Sequence, residues 1–428
     1  MLINLNILGV ALLMMFGGVT PTFSQKSKTV SVPYTWASVP VVGGGFVDGI
    51  ICHPTVEGLR YCRTDMGGAY RWDNSQKRWA QLLDWVSEAD SNLQGVESIA
   101  LDPNHPERVY MACGTYTTLQ GSILRSDDYG KTFKRTDVPI LMGGNEGGRG
   151  NGERMMVDPL NENVIYFGTR LDGLWRSTDR GVNWEKVTAF PDVKEKFDPR
   201  DRGGWMGING CGVNGVLFVS DAKADNGKNV TQTIYVTCSQ REYESVFVSK
   251  DGGKTWAPVA KQPMGLRPTH MSLASDGQLY ITYADTPGPS NMTDGAVWKY
   301  NTLNGKWQDI TPLRVGENGK AGFGYAAVCV DPRNAKHVVV TTHAFGVRVA
   351  TIRMRYSALP MQERHGKQYT SMAMRMTTPL LHTPRSPLCI GCLTSRLIRS
   401  TPSTPSSLPA LEVGRHSTSV ALKRRMRR

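Results

Sequence analysis

Residues 346–428 contain no aspartate and no tryptophan, although the 428-residue chain has ten tryptophans. The same stretch holds 15 Lys and Arg against two acids, Glu363 and Glu412, so it accounts for the whole formal net charge of +13. The body before it is balanced, which argues against a polyanion-binding fold and excludes nucleic acid as the expected partner. No stretch of useful length repeats its apolar residues at helical spacing, and this excludes a helical bundle. No apolar run is long enough to span a bilayer, the best being positions 7–19 near the start. Eight cysteines at 52, 62, 113, 211, 238, 329, 389 and 392 lack the spacing of a disulfide scaffold. Cys52 and Cys62 fall in neighbouring expected strands and could pair, but buried thiols are the simpler expectation. Cys389-Ile-Gly-Cys392 has the form of half a zinc or redox site with no second pair to complete it, so neither metal nor cofactor is expected.

The short apolar run at 7–19, followed by Thr22 and Ser24, reads as a signal peptide over 1–24, despite an n-region without Lys or Arg. The expected destination is extracellular or periplasmic, with no membrane association after cleavage.

What the chain does have is repetition. Ser126-Asp-Asp-Tyr-Gly-Lys-Thr-Phe133, Ser177-Thr-Asp-Arg-Gly-Val-Asn-Trp184 and Ser249-Lys-Asp-Gly-Gly-Lys-Thr-Trp256 fit one pattern, S-x-D-x-G-x-T-W, the Asp box. Each follows a short apolar strand, so each is expected to be a hairpin turn in which the aspartate accepts backbone N–H groups and the glycine takes a left-handed conformation. Asp128, Asp179 and Asp251 are therefore structural. A second element, strand then Asp-Pro turn then strand, recurs at 101–110, 157–166 and 330–339, with weaker copies at 50–61 and 273–283. Degenerate boxes end at Trp79 and Trp307, and together the turns give five blades in frame. The fold class is an all-β propeller occupying about 30–345.

Within it, residues 62–72 read C-R-T-D-M-G-G-A-Y-R-W and set one carboxylate, Asp65, between a strand and a Gly-Gly turn. Gly67 and Gly68 add no bulk beside it, and Tyr70 and Trp72 supply flat apolar surfaces suited to sugar faces. Asp before Gly is also ordinary turn chemistry, and core packing accounts equally for the aromatics.

The stretch 42–85, containing V-G-G-G-F-V-D-G-I, R-T-D-M-G-G-A-Y-R-W and W-A-Q-L-L-D-W-V, resembles the opening of glycoside hydrolase family 74, the xyloglucan-cleaving endoglucanases. The likeness continues through L-D-P-N-H-P-E-R-V-Y and G-G-N-E-G-G-R-G-N-G-E-R to about position 342. It implies tandem propellers, of which this chain carries about five blades of a seven-bladed first one. It also implies Asp65 as the catalytic base of an inverting glycosidase acting on xyloglucan or a related plant cell-wall β-glucan. Tyr70, Trp72 and Trp85 are the candidate substrate walls, and the glycine-rich segment 143–154 either lets backbone approach a ligand or is simply flexible. The alternatives are a non-enzymatic Asp-box propeller of the sortilin or assembly-factor kind, which has no reason to carry R-T-D-x-G-G-A-Y-R-W, and a sialidase, whose arginine cluster and Tyr/Glu pair are not recognisable.

Beyond position 345 the repeats stop, and a disordered basic tail is expected over 346–428. A reading frame built from the third base of each codon and the first two of the next can encode A-V-F-R-S-T-D-A-G-T-T-W-K across 354–367 and a D-P-F-N-P-E signature within 386–414. A slip of frame near 345–347 is the expected explanation. In the resembled family the general acid is an aspartate of the second propeller within H-W-x-x-D-x-E-I-D-P-F, and only the hidden frame can encode it, across Leu393 and Thr394. The chain as written is therefore expected to hold the base without the acid.

Overall fold

A computed structural model describes residues 43–194, 211–316, 322–331 and 334–343, with Val41 and three short strands, Lys28–Val30, Tyr356–Pro360 and Lys367–Tyr369. The expected signal peptide, most of the tail and the Cys389/Cys392 pair lie outside the described residues.

Five four-stranded antiparallel sheets follow one another along the chain, each a meander of consecutive strands. Blade one is Val47–Cys52, Arg60–Thr64, Ala69–Asp73 and Arg78–Gln81. Blades two to five begin at the inner strands Val96–Leu101, Met155–Asp158, Val213–Val219 and Arg267–Leu273. The five expected blades are all present, and Gly324–Asp331 and Asn334–His343 open a sixth sheet. Its third strand, Tyr356–Pro360, pairs antiparallel with Asn334–His343, and Lys367–Tyr369 pairs with Lys28–Val30. A strand with open N–H and C=O groups is a template for any neighbouring backbone.

The core is a chain of clusters between adjacent blades. Leu83, Leu93 and Val96 join blades one and two, Ile123 and Phe167 join two and three, and Phe190, Val216 and Phe247 join three and four. The three Asp boxes close the turn between the third and fourth strands of blades two, three and four. Asp128 shows the chemistry: it accepts from the N–H groups of Lys131 and Thr132 at 2.9 Å each and from Thr132 Oγ1 at 2.6 Å, while Ser126 Oγ accepts from Gly130 N–H at 2.8 Å. Asp179 and Asp251 repeat the pattern. Partial burial works against the charged form, but the bonds from Thr132, Ser126 and Lys131 outweigh it and hold Asp128 at about 2, as the matching set holds Asp251.

Because these carboxyls are more acidic folded than unfolded, their contribution to stability is complete above about pH 4 and lost as pH falls toward 2. The thermal midpoint, followed by circular dichroism, is expected to fall across that window. Asp128→Asn should lower the midpoint at pH 7 and flatten its dependence on pH between 4 and 2. An unchanged slope would show that other groups govern acid unfolding.

One irregularity recurs on the innermost strand. In blades one, two, four, five and the sixth sheet, the first strand pair slips register near its start, skipping Asp48, Glu97, Asn214, Thr269 and Ala326. A bulge of this kind re-aims one side chain out of the regular pleat. Four of the five are polar.

Candidate active site

The segment 143–154 runs from the outer strand of blade two, Lys134–Leu141, to the inner strand of blade three, and it lies where the blades converge. It is pinned on every side. Gly144 and Asn145 donate to the carbonyls of Gly114 and Thr115 in blade two, Gly148 to Gly288 beside blade five, and Gly152 to Thr269. The bulge residue Glu97 accepts from Gly143 N–H at 2.8 Å and pairs with Arg154 at 3.2 Å and with Arg170. Arg63 reaches from blade one to Glu153 at 2.9 Å and to the carbonyls of Arg149 and Asn151 at 2.7 and 3.0 Å. The glycines make this approach possible: a Cβ on Gly148, at φ +75°, would lie 2.1 Å from Cys211 Sγ. The flexible-loop alternative is thus replaced by an anchored one.

Asp65 stands beside this segment, at the turn between the second and third strands of blade one. Its Oδ1 accepts from Phe46 N–H at 2.8 Å, and its own N–H donates to Phe46 O at 3.1 Å. Oδ2 lies 3.6 Å from Arg149 Nε. The side chain keeps 12% of its surface exposed, whereas Asp48, 3.5 Å from the same Nε, has none. Of these two carboxyls, only Asp65 can meet a water molecule. Glu153 keeps 9% of its side chain exposed, but both its oxygens are engaged, accepting from Arg63, Ser98 Oγ and Ile99 N–H.

Gly67 and Gly68 are explained by the turn itself. A Cβ on Gly67 would sit 1.8 Å from Gly44 O, and Gly68 has φ +78°. Thr64 completes the turn by accepting from Gly67 N–H at 2.9 Å and donating to Gly68 O at 2.8 Å. Gly67→Ala is expected to destabilise the chain by ~1–3 kcal/mol, the usual range for forcing atoms into packed space. An unchanged urea midpoint would show that the 43–45 segment can move aside.

The aromatic candidates are placed in packing positions. Tyr70 is fully buried, its hydroxyl donating to Gly44 O at 3.2 Å, and burial pushes that hydroxyl up to about 12. Trp72 is buried edge-on against Trp79 with the Arg60 guanidinium 4.5 Å over its ring. Neither can stack on a ligand, so both expected walls are corrected to core residues: their strand turns them into the cluster of Val47, Ile50 and Cys62. Trp85 is half exposed, but its ring stacks on Phe133, the aromatic of the blade-two Asp box. The exposed aromatic near Asp65 is one that sequence reasoning passed over. Tyr116 is 42% exposed, its hydroxyl 2.8 Å from Asn145 Nδ2 and 3.9 Å from the sulfur of Met66, the residue after Asp65. It comes from the neighbouring blade, so no local motif joins it to the R-T-D stretch.

No disulfide joins the six described cysteines. Cys62 is wholly buried, and burial pushes its thiol up. Among the described residues no cluster of His, Cys, Asp or Glu is arranged to hold a metal ion.

Residues 123–136 and 174–187 match the BNR-Asp box repeat, and 247–258 the BNR/Asp-box repeat. The chain is 44% identical over 330 residues to xyloglucanase Xgh74A of Acetivibrio thermocellus, an alignment covering 75% of this chain and 38% of that protein. The solved GH74 xyloglucanase from Xanthomonas campestris superposes with a TM-score of 0.68 at 41% identity, over 79% of this chain and 47% of that one. The propeller is a homologue of the glycoside hydrolase family 74 xyloglucanases. An oligoxyloglucan-reducing end-specific xyloglucanase from Emericella nidulans is 36% identical over 343 residues, 74% of this chain and 39% of its own length. The chain thus spans less than half the length of each of these family 74 relatives, and among them are enzymes named for different modes of attack.

Proposed function

We propose that this chain carries the base-bearing half of an exported, inverting glycoside hydrolase acting on the β-1,4-glucan backbone of xyloglucan, with Asp65 as the general base. The observation that carries the reading is the environment of Asp65. It is a carboxylate held on one oxygen by a backbone N–H, kept beside a guanidinium, and still open to water. An inverting hydrolysis needs such a base to take a proton from the attacking water, and an acid roughly 6.5–9.5 Å away to protonate the leaving oxygen. Asp48 has no exposed surface, and both oxygens of Glu153 are already taken by Arg63, Ser98 and Ile99, so neither is free to serve a glycosidic oxygen. The acid belongs to the part of family 74 relatives that this chain does not span. The chain alone is therefore expected to hydrolyse xyloglucan negligibly, and reducing-sugar release at the rate of a complete family enzyme would refute this division of labour.

The chain should nevertheless bind substrate. Tyr116 takes the stacking role that the sequence suggested for Tyr70 and Trp72, since its ring is exposed and its hydroxyl is tied to Asn145. Tyr116→Ala is expected to weaken binding of xyloglucan oligosaccharides by ~1–1.5 kcal/mol, or about tenfold in Kd, the scale of a lost aromatic contact. Calorimetric titration reads it directly, and equal affinities for the variant and parent would remove Tyr116 from the site.

A further inference from the structure

The bulge that carries Asp48 has placed a carboxyl in a setting where neither oxygen accepts a hydrogen bond and no surface is exposed. Arg149 Nε lies 3.5 Å from it, the same atom that lies 3.6 Å from Asp65, and the charge of Arg63 also bears on it. Arg63, from the adjoining strand of blade one, is committed to Glu153. Two guanidiniums therefore face three carboxyls. Two further titratable groups approach from across the ring: His343 of the sixth sheet, near Arg149, and His270 of blade five, near Arg63. Burial first, then the neighbouring arginine, lowers each to about 4, so both are neutral at pH 7 and bring no charge to the account.

We propose that Asp48 is a positioning residue for Asp65, which holds its own proton at neutral pH and so leaves the shared Arg149 to the ionised Asp65. An ionised carboxylate that is buried without hydrogen bonds is costly, and a carboxyl in that position takes up a proton instead. Of the three acids, Asp65 has a backbone N–H and solvent, and Glu153 has Arg63, Ser98 and Ile99. Asp48 has neither kind of support, so the proton settles there; burial raises it well above the usual carboxylate range, outweighing the opposite pull of Arg63 and Arg149, with Asp65 and Glu153 adding to the rise. The arrangement keeps one member of a closely coupled carboxyl pair neutral so that the other can accept a proton from water. It deepens the reading of Asp65 as the base, and it rests on that reading for its catalytic meaning.

The test needs no turnover. The full chain, labelled with 13C at the aspartate carboxyl carbon, is titrated by NMR from pH 4 to 8. One aspartate signal is expected to keep its protonated shift above pH 6 and to be missing from Asp48→Asn, a variant that preserves the shape and the neutral state. The signal lost in Asp65→Asn should be that of an ionised carboxylate at pH 6. If every aspartate in the parent chain is ionised at pH 6, or if the protonated signal persists in Asp48→Asn, the proposal is overturned, and the parent spectrum decides the first of these whether or not a variant folds. Failure of Asp65 as catalytic base would appear separately, as an undiminished rate for Asp65→Asn in a complete enzyme with these NMR signals unchanged.

Discussion

A chain continued through the alternative frame beyond position 345 is expected to hydrolyse xyloglucan, and Asp65→Asn in that background to lower kcat by ~10²- to 10⁴-fold, the usual contribution of a positioned general base. The amide keeps the shape of the carboxylate. It can still accept from Phe46 N–H, which holds Oδ1 at 2.8 Å, so the turn should survive and the loss should be chemical. Two readouts separate the cases. The urea midpoint should stay near that of the parent, and oligosaccharide affinity should change little while the rate collapses. An unmutated rate with inverted product would leave Asp65 as a turn residue, and the ordinary Asp-Gly account of residues 65–68 would stand.

Glu97→Ala is expected to cost ~3–5 kcal/mol, the penalty for removing one partner of a buried ion pair and stranding the rest. Glu97 is almost wholly buried between Arg154 and Arg170, and Arg154 is itself among the largest fully buried side chains. Burial opposes its charge, but Arg170, Arg154 and the Gly143 N–H outweigh it and hold the carboxyl below its usual range. Truncation leaves two guanidiniums facing a cavity and frees Gly143 from its acceptor. The midpoint of urea unfolding, multiplied by the slope, gives the number. A loss below about 1 kcal/mol would mean that water fills the gap and solvates both arginines. Glu97→Gln should fall between, since it keeps an acceptor for Gly143 while giving up the charge.

The parts of this structure that could be read from the chain are those whose hydrogen bonds close within a few residues. Ser126, Asp128, Gly130 and Thr132 complete one another within seven positions, and an Asp box therefore announces itself. The carboxylate at 65 was legible for the same reason, being framed by a local turn. Tyr70 and Trp72 were misplaced because a strand residue's face is set by register and by the neighbouring sheet, and these two point into their own blade's packing with Trp79. Tyr116 was missed because it reaches the Met66 side chain from a different blade, fifty positions away. The arginine network was missed on a larger scale, since Arg63 meets Glu153 across ninety positions and Arg170 meets Glu97 across seventy-three. One signal could have pointed to it. V-D-G-I, V-E-S-I and V-N-G-V, at 47–50, 96–99 and 213–216, each put a polar residue where an inner strand should be apolar. All three are bulges.

Blades stacked in sequence touch chiefly their neighbours, and such arrays tend to fold and unravel piecemeal, as a row of nearly independent units. The segment 143–154 works against this by acting as a clasp. It is bonded to blade one through Arg63, to blade two through Glu97, and to the blade-five region through Gly288 and Thr269. A clasp of that reach cannot be fastened while the chain is still emerging from the ribosome, because its last anchor is translated long after the clasp itself. Until blade five exists, the N–H groups of Gly148 and Gly152 lack their acceptors, although Glu153 already has Arg63, Ser98 and Ile99 and Asp65 already has Phe46. Full anchoring of the segment beside Asp65 is thereby made a late event that waits on blade five.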